Sequence, residues 1–217
     1  MSKSFYHKIT DEQWKIIELH LLKPKSTGRH ALNSRTVFNA IFRVLDSGAK
    51  WRYLPKEFGN WNSIYHKFRK WCELGVFENQ DIGISRGGKT TKIHALVNEH
   101  FQLVSVELSG GNIHDSEMAI KLLSKVTLEG KKILADKAFC SEKIRNFIYQ
   151  EKAGVCIPDK SNAVVIHEFD EELYKARNII ERFFQHLKNF RHIATRYDKL
   201  SECFLNFVLL AAVMIKI

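Results

Sequence analysis

The sequence predicts a mixed α/β chain with an all-helical front segment, residues 1–80, and a strand-containing body, residues 81–217. Three observations carry that prediction. In the front segment, apolar residues recur every three or four positions in three separate stretches, the spacing of one helix face. In the body, two alternating stretches and two short apolar runs are interleaved with helical patterns, as in an α/β sheet protein. Charge divides at the same place: residues 1–80 hold 14 Lys/Arg against 7 Asp/Glu, and the remainder holds 20 against 17. With 217 residues, 45% of them hydrophobic and 27% charged, the chain has ample material for a core and is not disordered by composition.

Thr10 and Gln13 form a capping-box pair that opens a first helix, with Trp14, Ile17 and Leu21 on one face and Pro24 as its stop. The polar, basic stretch 23–35 reads as a loop. A second helix runs from about Arg35 to Ser47, with Val37, Ile41 and Val44 inward and Gly48 ending it. A turn carrying Trp51, Leu54 and Phe58 follows, and Asn60 or Asn62 can cap a third helix from Trp61 to about Leu74. On that third helix Trp61, Ile64, Tyr65, Phe68, Trp71 and Cys72 share one side, and His66, Lys67, Arg69 and Lys70 share the other. Three short helices with a cationic face on the third are what a helix-turn-helix protein offers to a DNA groove, and a basic solvated face is the plainer alternative.

In the body, Thr91–Val97 and Leu103–Leu108 alternate well enough to be two strands joined by a turn at 98–102. Gly110 and Gly111 break the second strand, and Asp115 can cap the helix that follows. Residues 131–136 are a short buried strand with Asp136 at its C-terminal end. Ser141 caps another helix, and Val155–Ile157 is a further strand. Strand, helix and strand in that order imply a parallel pair. Residues 171–191 then form a helix on which Tyr174, Arg177, Glu181 and Lys188 fall within an arc of roughly 60°. Ile179, Ile180, Phe183, Leu187 and Phe190 take a different, apolar arc. On periodicity alone the polar stripe is a solvated face.

The function classes narrow by exclusion. Cys72, Cys140, Cys156 and Cys203 include no C-x-x-C pair, so neither a zinc knuckle nor a disulfide framework is indicated and reduced cytoplasmic thiols are expected. Residues 1–20 lack the apolar core of a signal peptide. The longest apolar run, Cys203–Ile215, is interrupted by Asn206 and too short to span a bilayer, so it reads as a buried C-terminal helix and no membrane partner is expected. The stretch from Arg86 to Thr90 lacks the GxxxxGK[ST] frame of a phosphate loop. A net charge of +10 suggests nucleic acid or an anionic surface, and charge alone fits a merely basic protein equally well.

The spacing Tyr174-x2-Arg177-x3-Glu181-x6-Lys188 resembles the signature around the catalytic glutamate of bacterial insertion-sequence transposases of the DDE type. The likeness continues through Gly83-x-Ser85-Arg86-Gly87-Gly88, His114-Asp115-Ser116, Asp136-Lys137-Ala138-Phe139 and Arg196-Tyr197-Asp198-Lys199. In the front segment it covers Thr10-Asp11-Glu12-Gln13-Trp14, Gly28-Arg29, Trp51-Arg52, Leu54-Pro55 and Phe58-Gly59-x-Trp61. The resemblance implies a three-helix DNA-binding domain at 1–80 and a ribonuclease-H-like core at 81–217. Such a core holds two Mg²⁺ (or Mn²⁺) ions about 4 Å apart on carboxylates and cleaves phosphodiesters by in-line attack. By the same resemblance Asp136 and Glu181 are catalytic metal ligands, Arg177 and Lys188 grip phosphates and terminal bases, and Tyr174 positions the scissile region. A strand-end aspartate such as Asp136 is otherwise more often a loop or capping residue. The implied partners are double-stranded DNA, both inverted-repeat ends and target, and a second copy in a homodimer at the nucleoid.

One element that the resemblance requires is missing. The family's first aspartate lies on a strand ahead of the Gly83–Gly88 motif, and here residues 75–80 run almost directly into Asp81-Ile82-Gly83 with no apolar strand between. The core is therefore expected to be incomplete and weak or inactive in catalysis. The competing expectation is a DNA-binding remnant or repressor without chemistry. A nuclease of the same fold is a third.

Overall fold

The computed structural model describes residues 8–19, 21, 32–76 and 91–216. They form two compact units: residues 1–79 with 186–217, and residues 80–185. Packing thus groups the C-terminal stretch, assigned to the body by the sequence pattern, with the front segment. Helices and small sheets are mixed, as expected.

In the first unit, α1 (Asp11–Glu18) opens with the expected capping box: Gln13 N–H donates to Thr10 Oγ1 at 3.2 Å and Thr10 N–H to Gln13 Oε1 at 3.0 Å. It ends well before Pro24, which lies outside the described residues together with Gly28 and Arg29. Helix α2 (Ser34–Ser47) buries Val37, Phe38, Ile41, Val44 and Leu45 and stops at Gly48, whose φ of 65° lies in the left-handed region. Two single 3-10 turns, Trp51–Tyr53 and Lys56–Phe58, lead to α3 (Trp61–Glu73), capped by Asn60 through Asn62 N–H at 2.8 Å. After α7 (Asn178–Asn189) come α8 (Arg191–Ala194) and α9 (Ser201–Lys216), whose residues from Cys203 to Ala211 are all buried. The ring of Phe207 meets Phe68 at 4.6 Å and Trp51 at 6.1 Å, so α9 supplies the aromatic floor beneath α3.

In the second unit, β1 (Thr91–Val97) and β2 (Leu103–Gly110) form an antiparallel hairpin, with an irregular register at Leu96 and Val97. Asn98 closes its turn by accepting from the N–H groups of His100 and Gln102. Helix α4 (Asp115–Leu123) follows, and its N-cap is His114 rather than the expected Asp115. Asp115 sits in the first turn, where its charge favours the helix dipole, and pairs with Lys92 of β1 at 3.1 Å. Glu107 of β2 is fully buried and neutralised by Lys121 and Lys125. β3 (Lys132–Leu134) and β4 (Gly154–Cys156) pair in parallel around α5 (Glu142–Gln150), which Ser141 caps as expected. Leu123, Leu128, Ile133, Ile144, Ile148 and Ile157 form the core there. Among the described residues the strands make two separate two-stranded sheets, and β1 and β3 are not paired with each other.

The expected single helix over 171–191 is divided. Helix α6 (Glu171–Tyr174) passes through a 3-10 turn, Lys175–Arg177, into α7. A 3-10 turn is common at helix ends, and over three residues its repeat differs too little from 3.6 to alter an apolar pattern.

Candidate functional site

Asp136 follows β3 at the point where the chain leaves the sheet. Its extended backbone (φ −68°, ψ 159°) makes it the N-cap of a 3-10 turn, Lys137–Phe139, and its Oδ1 accepts from Ala138 N–H at 3.2 Å. This is the capping role of a strand-end aspartate, and it leaves Oδ2 for another partner. That partner is Arg177, whose Nη1 lies 3.7 Å from Asp136 Oδ2. Its Nη2 meets Glu181 Oε1 at 2.7 Å, one helical turn on. A single guanidinium thus brings the two predicted acids together, with Asp136 46% and Glu181 53% exposed.

Tyr174 completes the group. Arg177 Cζ sits 5.6 Å above its ring, and Phe169 meets the same ring edge-on at 5.5 Å. Burial pushes the Tyr174 hydroxyl above its ordinary range, against the pull of Arg177. Burial acts to lower the Arg177 pKa, but the hydrogen bond to Glu181 and the charges of its neighbours outweigh it, so the guanidinium is held cationic. Lys188 lies farther along α7 and is exposed.

The donor chemistry of this pair suits a divalent cation. Mg²⁺ takes carboxylate oxygens and is commonly bound by one or two of them together with substrate phosphates. Asp136 and Glu181 match that kind and number for one ion. Among the described residues no group of three or more His, Cys, Asp or Glu is arranged to hold a metal, so those residues do not fit a two-ion cage. The junction at 77–84 and the Gly83–Gly88 motif lie outside the described residues.

The cationic face of α3 is more committed than its sequence suggests. His66 and Lys70 are exposed, whereas Lys67 is half-buried with its ammonium 5.7 Å from the Trp71 ring. Arg69 hydrogen-bonds Tyr65, which pushes its pKa up against the effect of burial, and sits 3.6 Å from Glu73. Lys70 is 3.8 Å from the same carboxylate. Charge separates sharply between the units. Residues 1–79 and 186–217 hold 19 Lys/Arg against 9 Asp/Glu, and residues 80–185 hold 15 against 15. The full excess of +10 therefore belongs to the first unit.

Two family models match: one described as the transposase DDE domain, over residues 66–215, and one described as a putative transposase of the IS4/5 family, over residues 9–80. The chain belongs to the DDE transposases of insertion sequences. A putative transposase for insertion sequence element IS6501 from Brucella ovis is 35% identical over 127 residues, covering 58% of this chain and 97% of that protein. An uncharacterized 16.2 kDa protein of insertion element IS402 from Burkholderia cepacia is 34% identical over 77 residues, 32% of this chain and 52% of the relative. The uncharacterized protein y4sN of Sinorhizobium fredii is 26% identical over 72 residues, 32% and 57%. No solved structure matches. Transposases act on DNA. Among the described residues no helix of this family member is long and apolar enough to cross a membrane.

The neutralisation of both carboxylates by Arg177 is only partly legible in the sequence, where the resemblance has the arginine face DNA. The four-residue step from Arg177 to Glu181 signals half of it. Nothing in the sequence signals the contact to Asp136.

Proposed function

We propose that this transposase binds the terminal inverted repeats of an insertion sequence through its first unit and that its strand-cleaving chemistry is weak or lost. The observation that carries the binding reading is the segregation of charge. The whole excess of +10 lies in the unit that contains α3, and the unit with the two acids is neutral. A polyanion is attracted to the former and not to the latter. His66, Lys67 and Lys70 are the proposed groove and phosphate contacts, while Arg69 stays engaged with Tyr65 and Glu73.

The second unit is read as an incomplete ribonuclease-H-like core. A hairpin, a helix and a parallel pair whose first strand leads to Asp136 support that reading. Asp136 and Glu181 would hold one Mg²⁺ or Mn²⁺, which polarises a phosphodiester when bound. Arg177 would turn from the acids to a phosphate, Lys188 would grip the end of the element, and Tyr174 would hold the guanidinium in place. The short junction at 77–84 in the sequence and, among the described residues, the two separate sheets support the loss of cleavage. Asp136 and Glu181 by themselves would not keep two ions at the spacing that in-line displacement needs.

The test is a labelled inverted-repeat duplex incubated with the purified protein, with and without Mg²⁺. Retardation without nicking is the expected result. Mg²⁺-dependent cleavage that disappears in Asp136→Asn would overturn the loss of chemistry. Equal affinity for the duplex and for an uncharged polymer control would overturn the binding reading.

A further inference from the structure

Two thiols meet inside the first unit, on the apolar side of α3. Phe68 of α3 packs on Phe207 of α9, with 4.6 Å between ring centroids. Cys72 lies one helical turn beyond Phe68 and Cys203 one turn before Phe207, the order expected of helices that run in opposite directions. The faces that join the rings therefore join the sulfurs, and Cys72 S–H donates to the Cys203 sulfur. Both are free thiols, 2% and 1% exposed. Sulfurs in contact meet the first condition for a disulfide, which sulfurs held apart by packing do not.

The two thiols are not equivalent. The hydrogen bond from Cys72, helped by the Arg69 guanidinium, pulls the Cys203 thiol below its ordinary range, against burial and the charges of Asp198 and Glu202. The same hydrogen bond, together with burial, pushes Cys72 up. Access differs as well. Cys203 lines a cavity of about 250 Å³ walled by Trp51, Trp61 and Tyr65, and Cys72 does not line it. Tyr197 and Leu200, 56% and 44% exposed, stand at its mouth. A water takes up about 30 Å³ in the liquid, so the cavity has room for hydrogen peroxide with water beside it.

We propose that Cys203 and Cys72 are a peroxide-reactive pair, in which Cys203 attacks the oxidant from the cavity wall and Cys72 resolves the product into a disulfide. The Cys203 sulfur attacks one oxygen of hydrogen peroxide. An S–O bond forms, the O–O bond breaks, and the departing hydroxide leaves as water with the thiol proton. The Cys72 sulfur then attacks the Cys203 sulfur. An S–S bond forms, the S–O bond breaks, and the second hydroxide leaves as water with the Cys72 proton. Two thiols give up two electrons and one peroxide takes them. The new bond ties α3 to α9, and a dithiol reductant reverses it by exchange. The proposal rests neither on DNA binding nor on the chemistry of the acids.

The full-length protein, reduced and then treated while folded with hydrogen peroxide, is denatured, alkylated, digested and mapped by mass spectrometry. The expected product links the peptides that carry Cys72 and Cys203 and disappears on treatment with dithiothreitol. Cys156, which is buried, donates to Asp170 O at 3.3 Å and has its thiol pushed up by burial, should stay reduced in the same sample. In Cys72→Ala a sulfenic acid should persist on Cys203 and be trapped by dimedone, whereas in Cys203→Ala the Cys72 thiol should remain unlabelled. Leu200→Trp, at the exposed mouth, should slow disulfide formation about tenfold by closing the access route. A wild type in which Cys72 and Cys203 stay reduced, or pair with other cysteines, would overturn the proposal, and that readout needs no variant to fold. Dimedone on Cys72 in Cys203→Ala would overturn the assigned roles, and undiminished oxidation of Leu200→Trp would overturn the route through the cavity.

Discussion

Replacing Lys67 and Arg69 together by alanine separates the two ways of using the third helix. Each phosphate contact contributes about 0.9 to the slope of log affinity against log salt. If both side chains met phosphates, the slope would fall by about 1.8, and between about 50 and about 200 mM salt the wild type would lose roughly 12-fold more affinity than the variant. Arg69, however, is held by Tyr65 and by Glu73 at 3.6 Å, and only Lys67 is free to swing from the Trp71 ring. The structure therefore predicts a fall of about 0.9 in slope, or about 3.5-fold over the same range. Lys70 also faces Glu73, at 3.8 Å, but it is exposed and lacks the Tyr65 bond that holds Arg69, so the pair Lys67→Ala and Lys70→Ala should give the larger change. Fluorescence anisotropy on an inverted-repeat duplex at several salt concentrations reads both slopes. The fold should survive, because losing an i,i+4 pair such as Arg69–Glu73 costs only about 0.3–0.5 kcal/mol. Parallel lines for the wild type and both double variants would refute the reasoning and move the DNA contact off α3.

Other perturbations have defined outcomes. Gly48→Ala forces a side chain into the left-handed region, with its Cβ 3.2 Å from Arg191 Cβ and from the Tyr197 ring, so urea titration should show a loss of at least about 1–2 kcal/mol. His94 is buried against Ser109 at 2.7 Å and burial lowers its pKa, so its neutral form stabilises the fold above its unfolded pKa and that stability is lost as pH falls through the lower folded one. His94→Gln should flatten the thermal midpoint between about pH 7 and pH 5, around the ordinary histidine value. Asp159 is held below the usual carboxylate range by His167 N–H first and by Arg145, so its contribution is present at neutral pH and fades in acid below the ordinary carboxylate pKa. Proteolysis at residues 160–166 should speed up in acid, and Asp159→Asn should show the fast rate already at neutral pH.

What could be read in the sequence was local. The Thr10–Gln13 box, the Asn60 and Ser141 caps and the Gly48 stop each depend on a side chain and a backbone group within a few residues, so the pattern alone identifies them. Asp115 stands one position past the cap, in the first turn, where its carboxylate pairs with Lys92, 23 residues back in the sequence and invisible to a local pattern. The parallel pair followed from element order, but the place of α9 did not. Phe207 packs on Trp51 and Phe68, and no periodicity in α9 indicates which rings it will meet. The acids show the same limit. The step from Arg177 to Glu181 is visible as helix spacing, and the bridge to Asp136 appears only once β3 has delivered that residue to the same guanidinium.

The placement of α9 has a consequence for the order of events at the ribosome. The ring of Phe207 that Phe68 and Trp51 pack against is synthesised after the whole second unit, so α3 leaves the exit tunnel without it. The second unit is continuous and can mature first, while α2 and α3 wait with their apolar faces uncovered until residues 186–217 arrive. A nascent chain stalled short of Phe207 should therefore be a client for chaperones at its beginning rather than at its end.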